Sequence, residues 1–487
     1  MRRISPGAIN CSPRRIRPVA DRSCSALLIA LFALLVGCVE NKPYRLQGVA
    51  DAEKYYAHQL PPFEEHEAAP GHKYRLSFVE FDERGDFWDR RQFGEAAHAI
   101  RHSENPVLLV IYIHGWHHNA NERKAGTKNP GDVETFRCLL SQLAVSGSAD
   151  QMQVHGVYLG WRGRLVEGPL DYLTFWGRKA AATRIAGTPV TETIFELIRQ
   201  ARKNSDKYSK CVLVGHSFGA LVLEKAMAQA MTGSILAQDT EKKEDEHFNA
   251  PADLVLLINS AAESIYAKEM RDMFERIEQR GAVNPDQPLV ISITSESDTA
   301  TSNWFRIGAF FPNLFSHRQY HWDTRYDHAS HEVDQNEYLT TTPGHNKRLW
   351  SHRIDPTSAP TDAPSAERIA QRAKVTTACS EANPAFEENL QYPRPLLFAT
   401  GDKTDSHNFH WWKLTKDSPD ATTPYWIMHV PKEIIDGHAP IFTPQGRAMM
   451  AALYRITNTQ PGPRQMKLRA ETRSTVEGPR TAAAESP

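Results

Sequence analysis

"CVLVGHSFGAL", residues 211–221, is the stretch on which the fold of this chain turns. Four apolar residues, Cys211 to Val214, run into Gly215-His216-Ser217-Phe218-Gly219, and the apolar run "GALVLEKAMAQAM" follows. A junction of this kind is either a plain structural turn or a backbone bent hard enough to hold one serine clear of both elements. The small residues favour the second. Around a serine on a sharp strand-to-helix turn, neighbours two positions either side must be small, or their side chains strike the facing strand and helix. Gly215, Gly219 and Ala220 meet that demand. The helix N-terminus beyond the serine also presents unbonded N–H groups to negative charge.

Outward from this junction the chain alternates apolar runs with helical patterns. "PVLLVIYIHG", "VHGVYLGW", "ADLVLLINSA" and "PLVISITS" are strand-like, and "DVETFRCLLSQLAV", "RKAAATRIAG", "TETIFELIRQARK" and "ESIYAKEMRDMFERIEQR" read as helices. Strands this apolar along their whole length must be buried on both faces, as in a parallel sheet covered by helices. The expected fold class is therefore α/β, a doubly wound, mostly parallel sheet in one domain over residues 71–457. At its front, "KYRLSFVEFDERGDF" reads as a strand and turn, and "RRQFGEAAHAIRHSE" has apolar positions at helical spacing. The rhythm breaks after residue 299 and resumes with "YWIMHV" near residue 425. The insertion 299–423, rich in His, Trp, Tyr and Pro, is too long for a bare loop and is expected to form a cap or lid. A last helix, "PQGRAMMAALYRI", precedes a Pro-, Arg- and Ala-rich tail, 458–487, expected to be disordered.

The 487 residues carry a formal net charge of −1 and are 40% hydrophobic, an ordinary globular composition. No basic excess is available to displace counterions from phosphates, which argues against a nucleic-acid partner. Basic residues cluster in the first 22 positions, ahead of the apolar stretch "ALLIALFALLVGC". That stretch is too short for an ordinary membrane-spanning helix and suits the core of a secretory signal. Its end, Leu35-Val36-Gly37-Cys38, resembles the bacterial lipobox, in which a small residue precedes a cysteine that is lipidated and becomes the mature N-terminus. The resemblance implies a lipoprotein signal peptide over residues 1–37, a lipid on Cys38 and a polar tether over 38–70. The alternative is an ordinary signal peptide that happens to contain a cysteine. With Val39 rather than aspartate after the cysteine, the sorting pattern implies the outer membrane of a bacterial envelope. Beyond the leader only Cys138, Cys211 and Cys379 remain, which is no disulfide framework and includes no metal-type Cys-x-x-Cys pair.

The chemistry follows from residues placed around the turn. Ser217 is the candidate nucleophile. "VIYIHGWHHNA" is a buried strand ending in His114-Gly115, and it resembles the oxyanion loop of the α/β-hydrolases. That resemblance assigns the backbone N–H groups of Trp116 and Phe218 to an oxyanion. The rival reading takes His114, His117 and His118 as metal ligands, but no carboxylate or cysteine lies close by in sequence, so no metal is expected. The acid should follow a late strand at the C-terminal edge of the sheet, where ligands gather. Asp298 in "PLVISITSESDTA" is preferred, with Glu296 and Glu263 as fallbacks. The base is His438, beside a glycine in the loop between the last strand and the last helix. His429 sits inside the strand pattern and reads as structure, and His345 lies on the wrong side of that strand.

Residues 106–300 together with 424–456 resemble the α/β-hydrolase superfamily, and "IHGWHHNA" with "GHSFGA" resembles a bacterial branch of serine esterase-like proteins. The resemblance implies hydrolysis of small-molecule or lipid acyl esters through an acyl-enzyme, with no cofactor. A peptidase or amidase would use the same three residues. A non-catalytic binding protein on the same fold would be expected to lack one of them.

Overall fold

The computed structural model describes residues 40–458, apart from 51, 57, 122–130, 147–151, 167–168, 205–207, 241–249, 279–285, 306–319, 325–329, 360–384, 387–396, 402–408, 418–422 and 439–440. The leader with Cys38, and residues 459–487 of the expected tail, lie outside the described residues. In chain order, β1 (Phe63–Ala69) and β2 (His72–Glu80) form a hairpin, and α1 (Arg90–Arg101) leads to β3 (Val107–Ile113). Next, α2 (Asp132–Ser146) leads to β4 (Gln153–Gly160), and α3 (Phe175–Ile185) with α4 (Thr188–Lys203) leads to β5 (Lys210–His216). Then α5 (Phe218–Thr240) leads to β6 (Leu254–Ile258), and α6 (Ser264–Glu278) to β7 (Val290–Ser295).

The insertion follows. It holds a separate hairpin of β8 (Tyr320–Thr324) and β9 (Ser330–Asp334), the short helix α7 (Gln335–Thr340), and β10 (His352–Thr357). It ends with β11 (Ala385–Phe386), β12 (Leu397–Gly401) and β13 (Phe409–Lys416). The chain closes with β14 (Tyr425–Val430) and α8 (Pro444–Asn458).

Twelve of these strands form one sheet in the order β1-β2-β4-β3-β5-β6-β7-β14-β10-β13-β12-β11. Every neighbouring pair from β2 across to β10 is parallel. Antiparallel pairs occur only at the two ends, β1 on β2 and β13, β12 and β11 beyond β10. The class is thus α/β with a large, mostly parallel sheet. The central strands are apolar throughout because their two faces feed two cores. On β3, Leu109, Ile111 and Ile113 pack with α1 and α3 to α6, whereas Leu108, Val110 and Tyr112 pack with α2 and α8. On β5, Cys211 and Leu213 face the first core, and Val212 and Val214 the second.

The connections also select where a site can form. From β3 the chain crosses to β4 on one side, then returns to add β5 on the other. Adjacent parallel strands whose connections leave in opposite directions open a crevice at their C-terminal ends. Ile113 pairs with Gly215 in that register, so His114 and Ser217 both emerge at the crevice.

One expectation needs correction. The segment read as a tether, 38–70, is folded from its described start. Phe63 to Ala69 pairs in register with β2, and Arg45 is completely buried. An edge strand has one solvated face, so "FEEHEAA" carries charges where a core strand would carry apolar residues, and its polarity reads as a linker. The insertion, expected as a cap, supplies sheet edge in much of its described part. Two of its aromatic residues, Phe398 and Trp412, pack among the core residues that α8 covers. Of the two described cysteines, Cys138 is disulfide-bonded and Cys211 is free and buried.

The N-terminal segment is held by buried charge. The Arg45 side chain donates to the Ala120 carbonyl at 2.8 Å and to Glu64 at 2.7 Å, and its guanidinium lies 3.6 Å from the centre of the Phe78 ring. Backbone N–H groups of Tyr44 and Arg45 donate to the Glu80 carboxylate at 2.9 and 2.8 Å. Burial raises the pKa of Glu80, against the lowering effect of those donors. Breaking a buried ion pair from one side typically costs about 3–5 kcal/mol. Glu64 keeps a second partner in Arg137, so Arg45→Ala should lower unfolding free energy by about 3 kcal/mol, measured by urea denaturation. A change below about 1 kcal/mol, the ordinary value of a surface pair, would show the segment to be loosely attached.

Candidate active site

The turn after β5 has the strain that its small residues suggest. Ser217 has φ of 55°, in the left-handed region that side-chain-bearing residues rarely occupy. Its N–H donates to the Ile258 carbonyl at 2.9 Å, and its own carbonyl accepts from Leu221 and Ala261, each at 3.2 Å. The glycines are there for close approach. A Cβ on Gly219 would stand 2.0 Å from the Ile113 carbonyl oxygen, and one on Gly215 would stand 2.7 Å from the Ala220 Cα. Gly115, on the neighbouring loop, has room for no Cβ either, since it would come within 2.8 Å of the Ser217 Cβ.

The structure brings Ser217, His438 and Asp298 together from positions far apart in the chain. His438 Nε2 lies 2.7 Å from Ser217 Oγ, and His438 Nδ1 lies 3.0 and 3.1 Å from the two carboxylate oxygens of Asp298. Asp298 is 1% exposed. It accepts from the Ala300 and Thr301 N–H groups at 3.0 and 3.2 Å and from the Thr301 hydroxyl at 2.5 Å. Burial acts to raise its pKa, but the His438 charge, the His438 hydrogen bond and the Thr301 bonds outweigh it and hold the pKa at about 2. With Asp298 ionised, Nδ1 carries the proton and Nε2 presents its lone pair to Ser217.

The loop bearing His438 is fixed by two residues that sequence reading did not assign. Asn259 directly follows β6, with φ of 47°, and is fully buried. Its amide donates to the His438 and Gly437 carbonyls at 2.9 and 3.2 Å, while its oxygen accepts from the Ser295 N–H at 3.0 Å. His216 Nε2 donates to the same His438 carbonyl at 2.8 Å. Gly437, with φ of 77°, supplies the turn that a glycine beside His438 allows, and its N–H donates to Ser297 Oγ at 2.7 Å. Behind Asp298, Thr301 Oγ1 also lies 3.0 Å from His345 Nε2, so the insertion touches the site through its described part. One sequence signal for Asn259 existed, a lone polar side chain at the C-terminal end of an apolar strand. Nothing in the sequence linked it to the loop that bears His438.

The remaining sequence candidates fall as follows. Trp116 directly follows Gly115 in the loop after β3, and Phe218 is the first residue of α5. The two rings and Phe175 pack together, with centroids 6.3, 5.3 and 4.9 Å apart. Glu263 is bonded to Lys179 at 2.7 Å, and Glu296 is exposed, so neither fallback carboxylate is bonded to His438. His429 donates to the Gly344 carbonyl and packs on Trp350, a structural role.

The three histidines after β3 part company. His114 is buried between the Trp161 N–H, which it accepts at 3.0 Å, and the Gly115 carbonyl, and burial lowers its pKa to about 4. His117 turns towards Asp171 at 3.0 Å. His118 turns towards Asp132, at 3.7 Å, and towards His216. No family model matches the chain, and no curated protein matches it.

The glycine contacts give a direct test of the turn. Gly219→Ala puts a methyl group against backbone that cannot retreat, so it should lower stability by at least the ~1–3 kcal/mol of core overpacking. Gly94→Ala lies in the exposed interior of α1 with nothing within 4 Å of the added Cβ. It should raise stability by about 0.5–1 kcal/mol through helix propensity. Thermal melts of both variants check the contrast, and equal effects would contradict it.

Proposed function

We propose that this chain is a serine hydrolase of the α/β-hydrolase type that cleaves carboxylic acyl esters through an acyl-enzyme. The observation that carries the reading is the continuous Ser217–His438–Asp298 hydrogen-bonded relay, set on a strained turn at the C-terminal edge of a parallel sheet. Three things support the fold type. The serine stands on a strand-to-helix turn, the oxyanion-loop candidate follows β3, and the chain order is Ser, Asp, His.

In this mechanism His438 Nε2 takes the proton of Ser217 as Oγ attacks the acyl carbonyl. Asp298 holds Nδ1–H and stabilises the imidazolium. The N–H groups of Trp116 and Phe218 receive the oxyanion, a contribution worth about a hundred- to thousandfold per donor. His438 then protonates the leaving alcohol, and water releases the acid by the reverse sequence, regenerating Ser217. These steps call on no cofactor. Part of the insertion 299–423 serves as a lid whose aromatic residues meet an apolar acyl group. The chain is held at the bacterial cell envelope by lipid on Cys38, facing the periplasm from the outer membrane. The disulfide at Cys138 supports an oxidising location.

A fluorophosphonate probe should label the folded protein, and Ser217→Ala should abolish labelling. Undiminished labelling of the alanine variant removes Ser217 from the mechanism. A panel of p-nitrophenyl esters of rising chain length, run beside peptide substrates, then distinguishes ester from amide cleavage.

Asp298→Asn should preserve the fold and lower kcat by up to ~10⁴-fold, because the amide favours the wrong His438 tautomer. If Glu263→Gln or Glu296→Gln is the damaging substitution instead, the acid has been misassigned.

A further inference from the structure

The three segments that meet at the serine turn also bring together side chains that the acyl chemistry does not use. His118 lies in the loop after β3, Asp132 is the first residue of α2, and His216 is the last residue of β5. One ligand-type atom from each lies within 4.8 Å of those of the other two. His118 Nδ1 and Asp132 Oδ1 are already 3.7 Å apart. Tetrahedral coordination with bonds of about 2.0–2.1 Å spaces its ligand atoms roughly 3.3 Å apart, so side-chain movements of about an ångström would complete the site.

A second observation points to a ligand. His216 is 2% exposed, and its Nδ1 is buried with no hydrogen-bond partner. Its Nε2 faces the His438 carbonyl, which can only accept, so Nε2 carries the hydrogen and Nδ1 carries a lone pair. A buried lone pair without a donor is costly unless something fills the role. Metal-ligating histidines have this arrangement, with the outer N–H given to a carbonyl that fixes the ring. Asp132 is oriented in the same manner, since the Tyr112 hydroxyl donates to its Oδ2 at 2.7 Å and leaves Oδ1 towards His118.

We propose that His118, Asp132 and His216 form a site for one divalent transition-metal ion, of which Zn²⁺ is the probe. Two imidazoles and one carboxylate suit Zn²⁺, leaving a fourth position for water. The ion clamps the loop after β3 and the start of α2 to the turn that carries Ser217. It also draws electron density from the His216 ring, strengthening the Nε2–H bond that holds the His438 carbonyl. Its role is to position these segments, and no acyl step passes through it.

The test uses the full chain, stripped with chelator and titrated with Zn²⁺ by calorimetry, with Co²⁺ absorbance reporting the coordination. One-to-one uptake, a raised Tm and a visible Co²⁺ spectrum with tetrahedral intensity are expected. His118→Ala and Asp132→Asn should each weaken binding by more than the ~10- to 100-fold that loss of an outer-shell partner produces. Asp132→Asn retains the side-chain shape, so a loss there with an unchanged circular dichroism spectrum is not unfolding. The exposed pair His98 and His102, stacked one turn apart on α1 with ring centroids 4.1 Å apart, is the competing surface site. His98→Ala should leave the tight binding intact. Absence of saturable one-to-one uptake overturns the proposal, as does uptake that survives Asp132→Asn or disappears with His98→Ala.

Discussion

The backbone of Ser217 is the constraint on which the rest of the site depends. A non-glycine residue at φ of 55° is disfavoured by of order 1–3 kcal/mol and persists only where its surroundings over-determine it. Here they do. The N–H and carbonyl of Ser217 are tied to β6 and to the segment just beyond it, and the helix that starts at Phe218 adds a bond from Leu221. Gly115 and Gly219 bring the neighbouring chain so close that no relaxed alternative has room. The strain aims Oγ away from the sheet, towards a histidine contributed from 221 residues further along the chain.

That histidine is held by its backbone as much as by its ring. The His438 carbonyl accepts from both Asn259, just past β6, and His216, the last residue of the adjacent β5. Asn259, like Ser217 beyond the neighbouring strand, is at positive φ, so the chain leaves extended geometry just past both strand ends. The Asn259 oxygen at the same time accepts the Ser295 N–H, and Ser295 accepts Asp298 through its carbonyl. One buried amide therefore couples the strand that leads to Asp298 with the loop that bears His438. Buried polar groups that are fully bonded specify a single arrangement, because leaving any one of them unpaired is expensive.

How much of this was legible in the sequence depends on where each signal is stored. The parallel core was legible because strands buried on both faces must be apolar at every position, as in Val107–Ile113. Ser217, Asp298 and His438 were legible because each sits at a strand end or loop with a local mark, a glycine pair, a carboxylate after an apolar run, or a glycine beside a histidine. The edges were not. β1 is charged along its exposed face, and β10, β12 and β13 alternate too irregularly to separate a sheet edge from a covering insertion. Asp132 illustrates the other limit. It lies 14 positions after His118 and looks like an ordinary acidic start to a helix, and only the packing of α2 beside β3 brings it to the histidines.

The titratable groups around the serine are driven apart by their environments. Burial lowers the pKa of His114, His117 and His216 to about 4, 4 and 3, so these rings are neutral at neutral pH. Asp298, equally enclosed, stays ionised because donors from His438 and Thr301 outweigh the same burial. The difference lies in what each group is offered. His114 and His216 meet only carbonyls, a backbone N–H or no partner, which a neutral ring satisfies by choice of tautomer, and at His117 burial outweighs the raising effect of Asp171. Asp298 meets only donors, which favour the charged form. The neutral rings therefore add no positive charge that would compete with His438 for Asp298, and the buried carboxylate acts on the one imidazole that also reaches the serine.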